Sequence, residues 1–216
     1  NSASGPIAGS MTLTADMQSG GMQPCWLGYI TVDNVDDVAE ATTAAGGKIH
    51  MDPHDLGGVG RIAFLADPSG ALFYVMKPVP PADNPDASSN SFAATEPLVG
   101  HCAWNELASS DPAAALNFYH ELFGWEKDGE MDMGPMGQYQ FLRHRHMIGA
   151  VMPRSQELPV SAWTYYFRVP DIDAAADTIE KEGGQIVQPP TEIPGGDYSL
   201  TAIDPQGARF ALVGAR

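Results

Sequence analysis

The sequence predicts an α+β protein made of tandem βαβββ modules, and three observations predict it. The first is an internal repeat: Trp163 lies 137 residues after Trp26, and Asp204 lies 137 after Asp67, with no gap needed between. At that one shift Tyr29 meets Tyr166, Val32 meets Val169, Asp36 meets Asp173, Ala39 meets Ala176, Gly46-Gly47 meet Gly183-Gly184, and Phe73 meets Phe210. A fixed period of this kind means duplication and decides architecture before any local reading. The second is the order of patterns inside each copy, which reads strand, helix, strand, strand, strand. The third is a shared closing turn, Asp67-Pro68 to Gly70 and Asp204-Pro205 to Gly207, with Pro second and Gly fourth as a type I turn favours.

Taken in order, Asn1–Gly5 are set aside, and residues 6–14 echo the end of a module, Ile7 to Met11 matching Ile148 to Met152. By the repeat, roughly 45 residues of a partner unit are expected ahead of the first copy. The first copy closes near residue 77, and 78–96 is rich in Pro, Ala, Ser, Asn and Asp with no apolar period, so it reads as a linker. A further unit follows over 97–153. Its first strand is predicted over 100–107, and Asp111-Pro112 then starts a helix, with Asp as N-cap and Pro where its missing N–H costs nothing. Leu116, Tyr119, Leu122 and Phe123 stripe that helix, and strands are expected near 138–143 and 147–152. The second copy opens on the aromatic, β-branched run Trp163 to Val169. Asp171 caps a helix over 172–182 striped by Ile172, Ala175, Ala176 and Ile179 and stopped at Gly183-Gly184. Strands near 185–188, 198–203 and 209–213 complete it. The expected division is 1–77, a partial first domain; 78–96, a linker; and 97–216, a complete second domain.

Composition narrows the function classes. At 216 residues and a formal net charge of −16, the chain repels phosphate backbones, and its only dense basic group is Arg143-His144-Arg145-His146, so nucleic acid is not an expected partner. No apolar run approaches the ~18 residues of a membrane span, and no leader pattern opens the chain. A cytoplasmic protein is expected, with no membrane partner. The two cysteines, Cys25 and Cys102, form no metal-binding spacing and read as reduced, mostly buried thiols.

The paired βαβββ units, the Ser110-Asp111-Pro112, Phe118-Tyr119 and Gly124-Trp125 pattern and the closing Asp-Pro-x-Gly hairpin together resemble the vicinal-oxygen-chelate (glyoxalase/bleomycin-resistance/dioxygenase) superfamily. The string from Trp104 to Asp111 is most similar to the two-domain glyoxalase-like branch that includes CFP30B-type mycobacterial antigens. The resemblance implies curled mixed sheets with helices on the convex side, here with the first module pair incomplete at the N-terminus. It also implies a concave cup holding a divalent metal or a flat ligand. On that resemblance the metal-ligand positions fall on Trp104, Thr164 and Ala211, with Leu27 and Tyr74 as the first-copy matches. Metal sites need imidazole, thiolate or carboxylate donors, which Trp, Leu and Ala do not offer. No metal ligand and no cofactor are therefore predicted, although a divalent metal is what the family would imply.

Two other groups invite a metal reading. His50, Asp52, His54 and Asp55 sit in a Pro/Gly-rich connection, and His144 and His146 alternate on a strand; both are read as structural or solvated. His101, three residues before Trp104, falls on the other face of its strand. Alternation puts Trp104 with Glu106 on one face, and Thr164 with Tyr166 and Arg168 on another. With Tyr139, Tyr198 and Ala211 these make the candidate ligand-binding set, and Glu106 is the candidate general base. An aromatic wall with one carboxylate and one guanidinium suits a small, partly aromatic or apolar molecule. The competing reading is that Glu106 and Arg168 pair or face water while the aromatics fill the core. Two functions stay open: a metal-free small-molecule-binding protein of the bleomycin-resistance kind, and a metal-dependent glyoxalase-like lyase/isomerase or extradiol-type dioxygenase. A surface antigen with an interaction role is a third. The uncovered face of the first copy further predicts a homodimer or a domain-swapped partner.

Overall fold

The computed structural model describes residues 6–80, 82–84, 89–93, 95–156 and 158–216; Asn1–Gly5 lie outside these. The chain runs α1 (Ala15–Ser19), β1 (Tyr29–Thr31), α2 (Val35–Ala44), β2 (Lys48–Leu56), β3 (Gly60–Ala66), β4 (Leu72–Pro78), β5 (Cys102–Ser109), α3 (Pro112–Phe123) and β6 (Glu126–Asp132). It continues with β7 (Gln138–His144), β8 (His146–Pro153), β9 (Ala162–Val169), α4 (Ile172–Lys181), β10 (Gln185–Glu192), β11 (Tyr198–Ile203) and β12 (Arg209–Gly214). The βαβββ order is therefore present three times, as an α+β architecture. No helix of the described residues is long and apolar enough to cross a membrane.

The described residues fall into two compact units. One comprises those of Asn1–Trp26, Asn90–Asn105 and Thr164–Arg216, the other those of Leu27–Ser89 and Glu106–Trp163. In the first unit the strands neighbour one another in the order β10-β11-β12-β9-β5, with 102–105 supplied by β5. β12 runs parallel to β9, with Ala211 beside Tyr166 and Val213 beside Arg168. Helix α4 covers one face over a core of Ile172, Leu200, Ala202 and Leu212. In the second unit the first copy forms a sheet of order β1-β4-β3-β2, and 106–109 of β5 lead into β8, β7 and β6. Val35, Leu65, Phe73 and Val75 of the first copy share one core with Leu107, Phe118, Tyr119, Leu142 and Val151.

Local chemistry explains the elements. The Asp111 carboxylate accepts from Ala114 N at 3.0 Å and Pro112 opens α3, while Gly124 closes it at φ 65°. Asp171 caps α4 through Ala174 N at 2.8 Å. Gly47 and Gly184 occupy matching places after α2 and α4. A Cβ on Gly47 would lie 2.6 Å from the Ala66 carbonyl oxygen, and one on Gly184 would lie 2.8 Å from Ile179 Cγ2. Helix and sheet approach too closely there for any side chain.

Several expectations are corrected. Residues 6–14 form no strand. β6 was not expected: its run Glu-Lys-Asp-Gly-Glu-Met-Asp has no apolar alternation, because on this edge strand every residue but Met131 is exposed and none needs a buried face. β2 and β10 extend well past the patterns that predict them, across Pro53 and across Pro189-Pro190. Both are last in their strand order, and both carry register shifts near the prolines, where a missing N–H is tolerated. His50, Asp52, His54 and Asp55 accordingly lie on a strand, not in a connection. His144 and His146 do not share a strand; they face each other across a hairpin whose single turn residue, Arg145, has φ 62°. Within 78–96, Pro78 ends β4, Phe92 makes an isolated bridge to Cys102, and residues 81, 85–88 and 94 lie outside the described residues.

Among the described residues of the second unit one carboxylate is buried, Asp67, 2% exposed. Its Oδ1 accepts from Ser69 N at 2.8 Å, Ser69 Oγ at 2.8 Å and Ala71 N at 2.9 Å. Its Oδ2 accepts from the Tyr119 hydroxyl at 3.3 Å, and that hydroxyl accepts from Trp163 Nε1 at 3.0 Å. The repeat mate Asp204 accepts only from its own turn, at Gln206 N and Ala208 N. Tyr119→Phe is expected to cost about 1–3 kcal/mol, because it strips a partner from a buried carboxylate and a half-buried indole. Asp67→Ala should cost more than Asp204→Ala. Urea midpoints at unchanged slope test both; equal losses for the two aspartates would show that the Tyr119 bond contributes nothing.

Candidate functional site

In the first unit the strand registers place two rows of residues on the face opposite α4. Ser199, Val213 and Arg168 form one row, and Thr201, Ala211 and Tyr166 form the next. Tyr166 and Arg168 thus share a face, as alternation predicts, and Ala211 joins them. Thr164 lies two residues earlier on the same strand. Tyr198 does not join them: it sits one residue off this face, packs against the α4 core, and carries the Arg216 guanidinium 5.0 Å above its ring. The strand itself is where sequence places it, so Tyr198 misleads only by one step of alternation. That same step hides Ser199 and Thr201, both buried, which the structure sets beside Arg168 and Tyr166.

Arg168 is the polar centre of this face. Its side chain is 18% exposed, and one terminal nitrogen donates to Asp197 Oδ2 at 2.7 Å. Asp197 is a partner that sequence reasoning missed; it directly follows Gly195-Gly196 in the connection between β10 and β11. Arg168 Nε is buried and has no hydrogen-bond acceptor among the described residues. A cleft of about 280 Å³ opens beside it, lined by Ala93, Thr95, Glu96, Pro97 and Ala103. An arginine held by one carboxylate and lining a cleft is arranged to bind an oxygen acceptor through its remaining N–H donors.

Also in the first unit, the Trp104 carbonyl accepts from Cys102 Sγ at 3.5 Å. His101 is buried, and its Nδ1 lies 2.7 Å from the Asn90 carbonyl oxygen, so its imidazole is engaged with backbone. In the second unit, the Tyr139 hydroxyl donates to Glu106 Oε2 at 2.9 Å, and Phe141 lies edge-on to the Tyr139 ring at 5.6 Å. The structure therefore brings Glu106 and Tyr139 together, with one carboxylate oxygen occupied by a phenol.

The first-copy face is closed by aromatic stacking. Tyr74, the match of Ala211, lies flat between Tyr29 at 4.6 Å and Phe64 at 4.7 Å, and His50 tilts over Phe64 at 5.4 Å. Burial, with Lys48 nearby, holds the His50 imidazole below its ordinary pKa. Nothing in that row offers a set of metal donors. Among the described residues, no three His, Cys, Asp or Glu side chains gather where they could hold a metal ion. The positions that the resemblance assigns to metal ligands carry an indole, a hydroxyl and a methyl group, so these residues do not fit a divalent metal.

With this geometry in hand, comparison with known proteins is informative. The family model described as "Glyoxalase/Bleomycin resistance protein/Dioxygenase superfamily" matches residues 2–75 and 98–212. A Mycobacterium tuberculosis protein named "Putative glyoxylase CFP32" is 32% identical over 195 residues, covering 89% of this chain and 70% of its own length. The "Anthracycline biosynthesis protein DnrV" of Streptomyces peucetius is 30% identical over 202 residues, covering 91% and 68%. Among solved structures, the Mn(II)-bound glyoxalase of Novosphingobium aromaticivorans superposes with a TM-score of 0.60 at 19% identity, covering 86% of this chain. The chain spans 61% of the length of that glyoxalase. The 2,2',3-trihydroxybiphenyl 1,2-dioxygenase of Sphingomonas wittichii superposes at 0.61 with 16% identity, covering 89% and 71%. At such identities these two likenesses speak for the fold.

The two thiols differ. Cys25 is exposed, which corrects the expectation of two buried cysteines: it sits in a stretch without secondary structure, between α1 and β1. Cys102 is buried at the start of β5, and burial pushes its thiol up to about 11. Iodoacetamide at neutral pH should therefore label Cys25 alone, with Cys102 reacting only on unfolding, as peptide mass mapping would show. Because the unfolded thiol ionises first, near pH ~8.5, Cys102 should lower stability as pH climbs from there toward 11. Cys102→Ala should flatten that decline, and an unchanged slope would place the titration elsewhere.

Proposed function

The chain belongs to the glyoxalase/bleomycin resistance protein/dioxygenase superfamily, and from that premise we propose that it binds a small, planar, partly aromatic molecule without the family's usual metal. Arg168 would hold an oxygen of that molecule. The observation that carries this reading is the Arg168 guanidinium, pinned by Asp197 and lining a cleft. A guanidinium has five N–H donors and Asp197 takes one of them, which leaves others for a carbonyl, phenolate or carboxylate oxygen.

The remaining lining supports the same ligand class. Ala93, Pro97 and Ala103 offer apolar wall, and Thr95 offers a hydroxyl. Glu96 disfavours a highly charged guest, which points to a carbonyl or phenol oxygen over a phosphate. The size, about 280 Å³, lies near the lower end of small-molecule sites and suits one ring system inserted by an edge. One relative is named for anthracycline biosynthesis, and anthracyclines are fused aromatic rings rich in carbonyl and hydroxyl oxygens. Glu106, paired with Tyr139, is the candidate base should the bound molecule also react.

The test has two arms. Elemental analysis before and after soaking with zinc, nickel, iron and manganese should find no stoichiometric metal. Titration with 1,8-dihydroxyanthraquinone, followed by quenching of tryptophan fluorescence, should saturate. Arg168→Gln should weaken that binding roughly tenfold, the scale of one charge-assisted hydrogen bond, with the thermal midpoint little changed. Unaltered affinity in Arg168→Gln would remove the arginine from the site. A stoichiometric metal would instead favour a metal-dependent lyase/isomerase or extradiol-type dioxygenase.

A further inference from the structure

The duplication allows one copy to report what the other lacks. In the first copy, the end of α2, Gly47, the Asp67-Pro68 turn and Phe73 form an apolar surface, and helix α3 covers it. Phe118, Tyr119 and Phe123 surround the Phe73 ring at 6.2, 5.8 and 6.0 Å, and the Tyr119 hydroxyl reaches Asp67 Oδ2. Phe73, Thr42 and Asp67 are all buried as a result.

Moving 137 residues along the chain, the same surface recurs in the first unit as Ile179, Gly184, Asp204, Pro205 and Phe210. There it is an open apolar cleft of about 220 Å³, with Thr178 and Glu182 at its margin. Phe210 and Asp204 are only half-buried. No aromatic ring of the described residues stacks on Phe210, and Asp204 uses only the oxygen that caps its own turn. Everything that α3 recognises in the first copy is therefore present in the second: the phenyl ring, the glycine that brings helix and sheet together, and the carboxylate. Among the described residues, no helix covers that surface.

We infer that this cleft docks an α-helix of the α3 type, carried by another βαβββ unit of the same family, with an aromatic side chain on Phe210 and a tyrosine hydroxyl on Asp204. The occupant is specified by the first copy: a helix whose Phe-Tyr pair matches Phe118-Tyr119. A second copy of this chain does not meet that description as it stands, because its own α3 is already buried against its own Phe73.

The test uses the whole chain, labelled with ¹⁵N, and a synthetic peptide of residues 110–126. The peptide is stapled between positions 113 and 117, on the side of α3 that faces solvent, since so short a helix is marginal alone. Saturable amide shifts are expected at Ile179, Gly184, Asp204 and Phe210. A peptide with Tyr119→Phe should bind roughly fivefold more weakly to the natural chain and lose little further against Asp204→Asn. Thr178→Arg, which crowds the cleft mouth from an exposed position, should abolish the shifts while the protein stays folded. Absence of saturable shifts, or shifts centred on Asp67 and Phe73, would overturn the inference. So would p-cresol filling the cleft while the peptide leaves it untouched, which would make it a small-molecule site. Concentration-dependent shifts at the same amides without peptide would assign it to self-association instead and likewise overturn the inference.

Discussion

A carboxylate removed from water must find donors for its lone pairs or destabilise whatever encloses it. Asp67 meets that demand with three donors from its own turn and a fourth from α3. The arrangement makes two events interdependent. The turn between β3 and β4 closes around one oxygen, and the helix of the following module seats itself on the other. Tyr119 then hands its hydroxyl oxygen to Trp163, while its ring stacks on Trp125 at 5.2 Å and meets Phe73 at 5.8 Å. One polar chain thus runs through the largest aromatic cluster of the second unit, and the close packing around it leaves few other positions for any of these rings.

The same demand explains how two copies of one design have diverged. Val35 and Ile172, Leu65 and Ala202, and Val75 and Leu212 are matched core positions, and all six are buried. Where α3 lies on the first copy, position 42 carries Thr in a fully buried place and position 73 a fully buried Phe. At the matching places of the second copy, where no described helix lies on the surface, position 179 carries Ile and position 182 an exposed Glu. The edges follow a parallel logic. Pro53 and Pro190 interrupt β2 and β10 at the outer margin of the strand order, and a strand broken by proline is a poor template for further pairing.

Much of this was legible because duplication doubles every signal. The caps Asp111 and Asp171, the stop at Gly183-Gly184 and the Asp204 turn were each read from residue chemistry that acts within a few positions. What escaped the sequence depends on solvent or on distant neighbours. β6 is mostly charged because nearly all of it faces water, and the Arg145 turn is so tight that its two histidines read as one strand. At the candidate site, alternation along β9 put Tyr166 and Arg168 together, since a strand enforces that. Tyr198 was misplaced because alternation fixes faces only relative to a start, and nothing in Gly195-Gly196-Asp197 shows which residue begins the count. Asp197 itself went unnoticed because its partner lies 29 residues away in sequence and pairs only after β11 has folded beside β12.

On the proposed reading, Arg168 is the physical counterpart of the metal. In a metal-using fold of this kind, a divalent ion would supply positive charge to a ligand oxygen, and imidazole and carboxylate side chains would supply the ion. Here the positions that the resemblance assigns to those ligands hold Trp104, Thr164 and Ala211, and on the face of Ala211 lies a guanidinium pinned by Asp197 at 2.7 Å. A guanidinium differs from an ion in what it can do. It gives directed N–H donors and so discriminates by geometry, but it offers no vacant coordination place at which two oxygens of one molecule could be chelated. On the proposed reading, then, the substitution retains recognition of a single ligand oxygen and gives up bidentate chelation. That loss favours sequestration over the carbonyl and oxygen chemistry that chelation supports in a metal-bearing site.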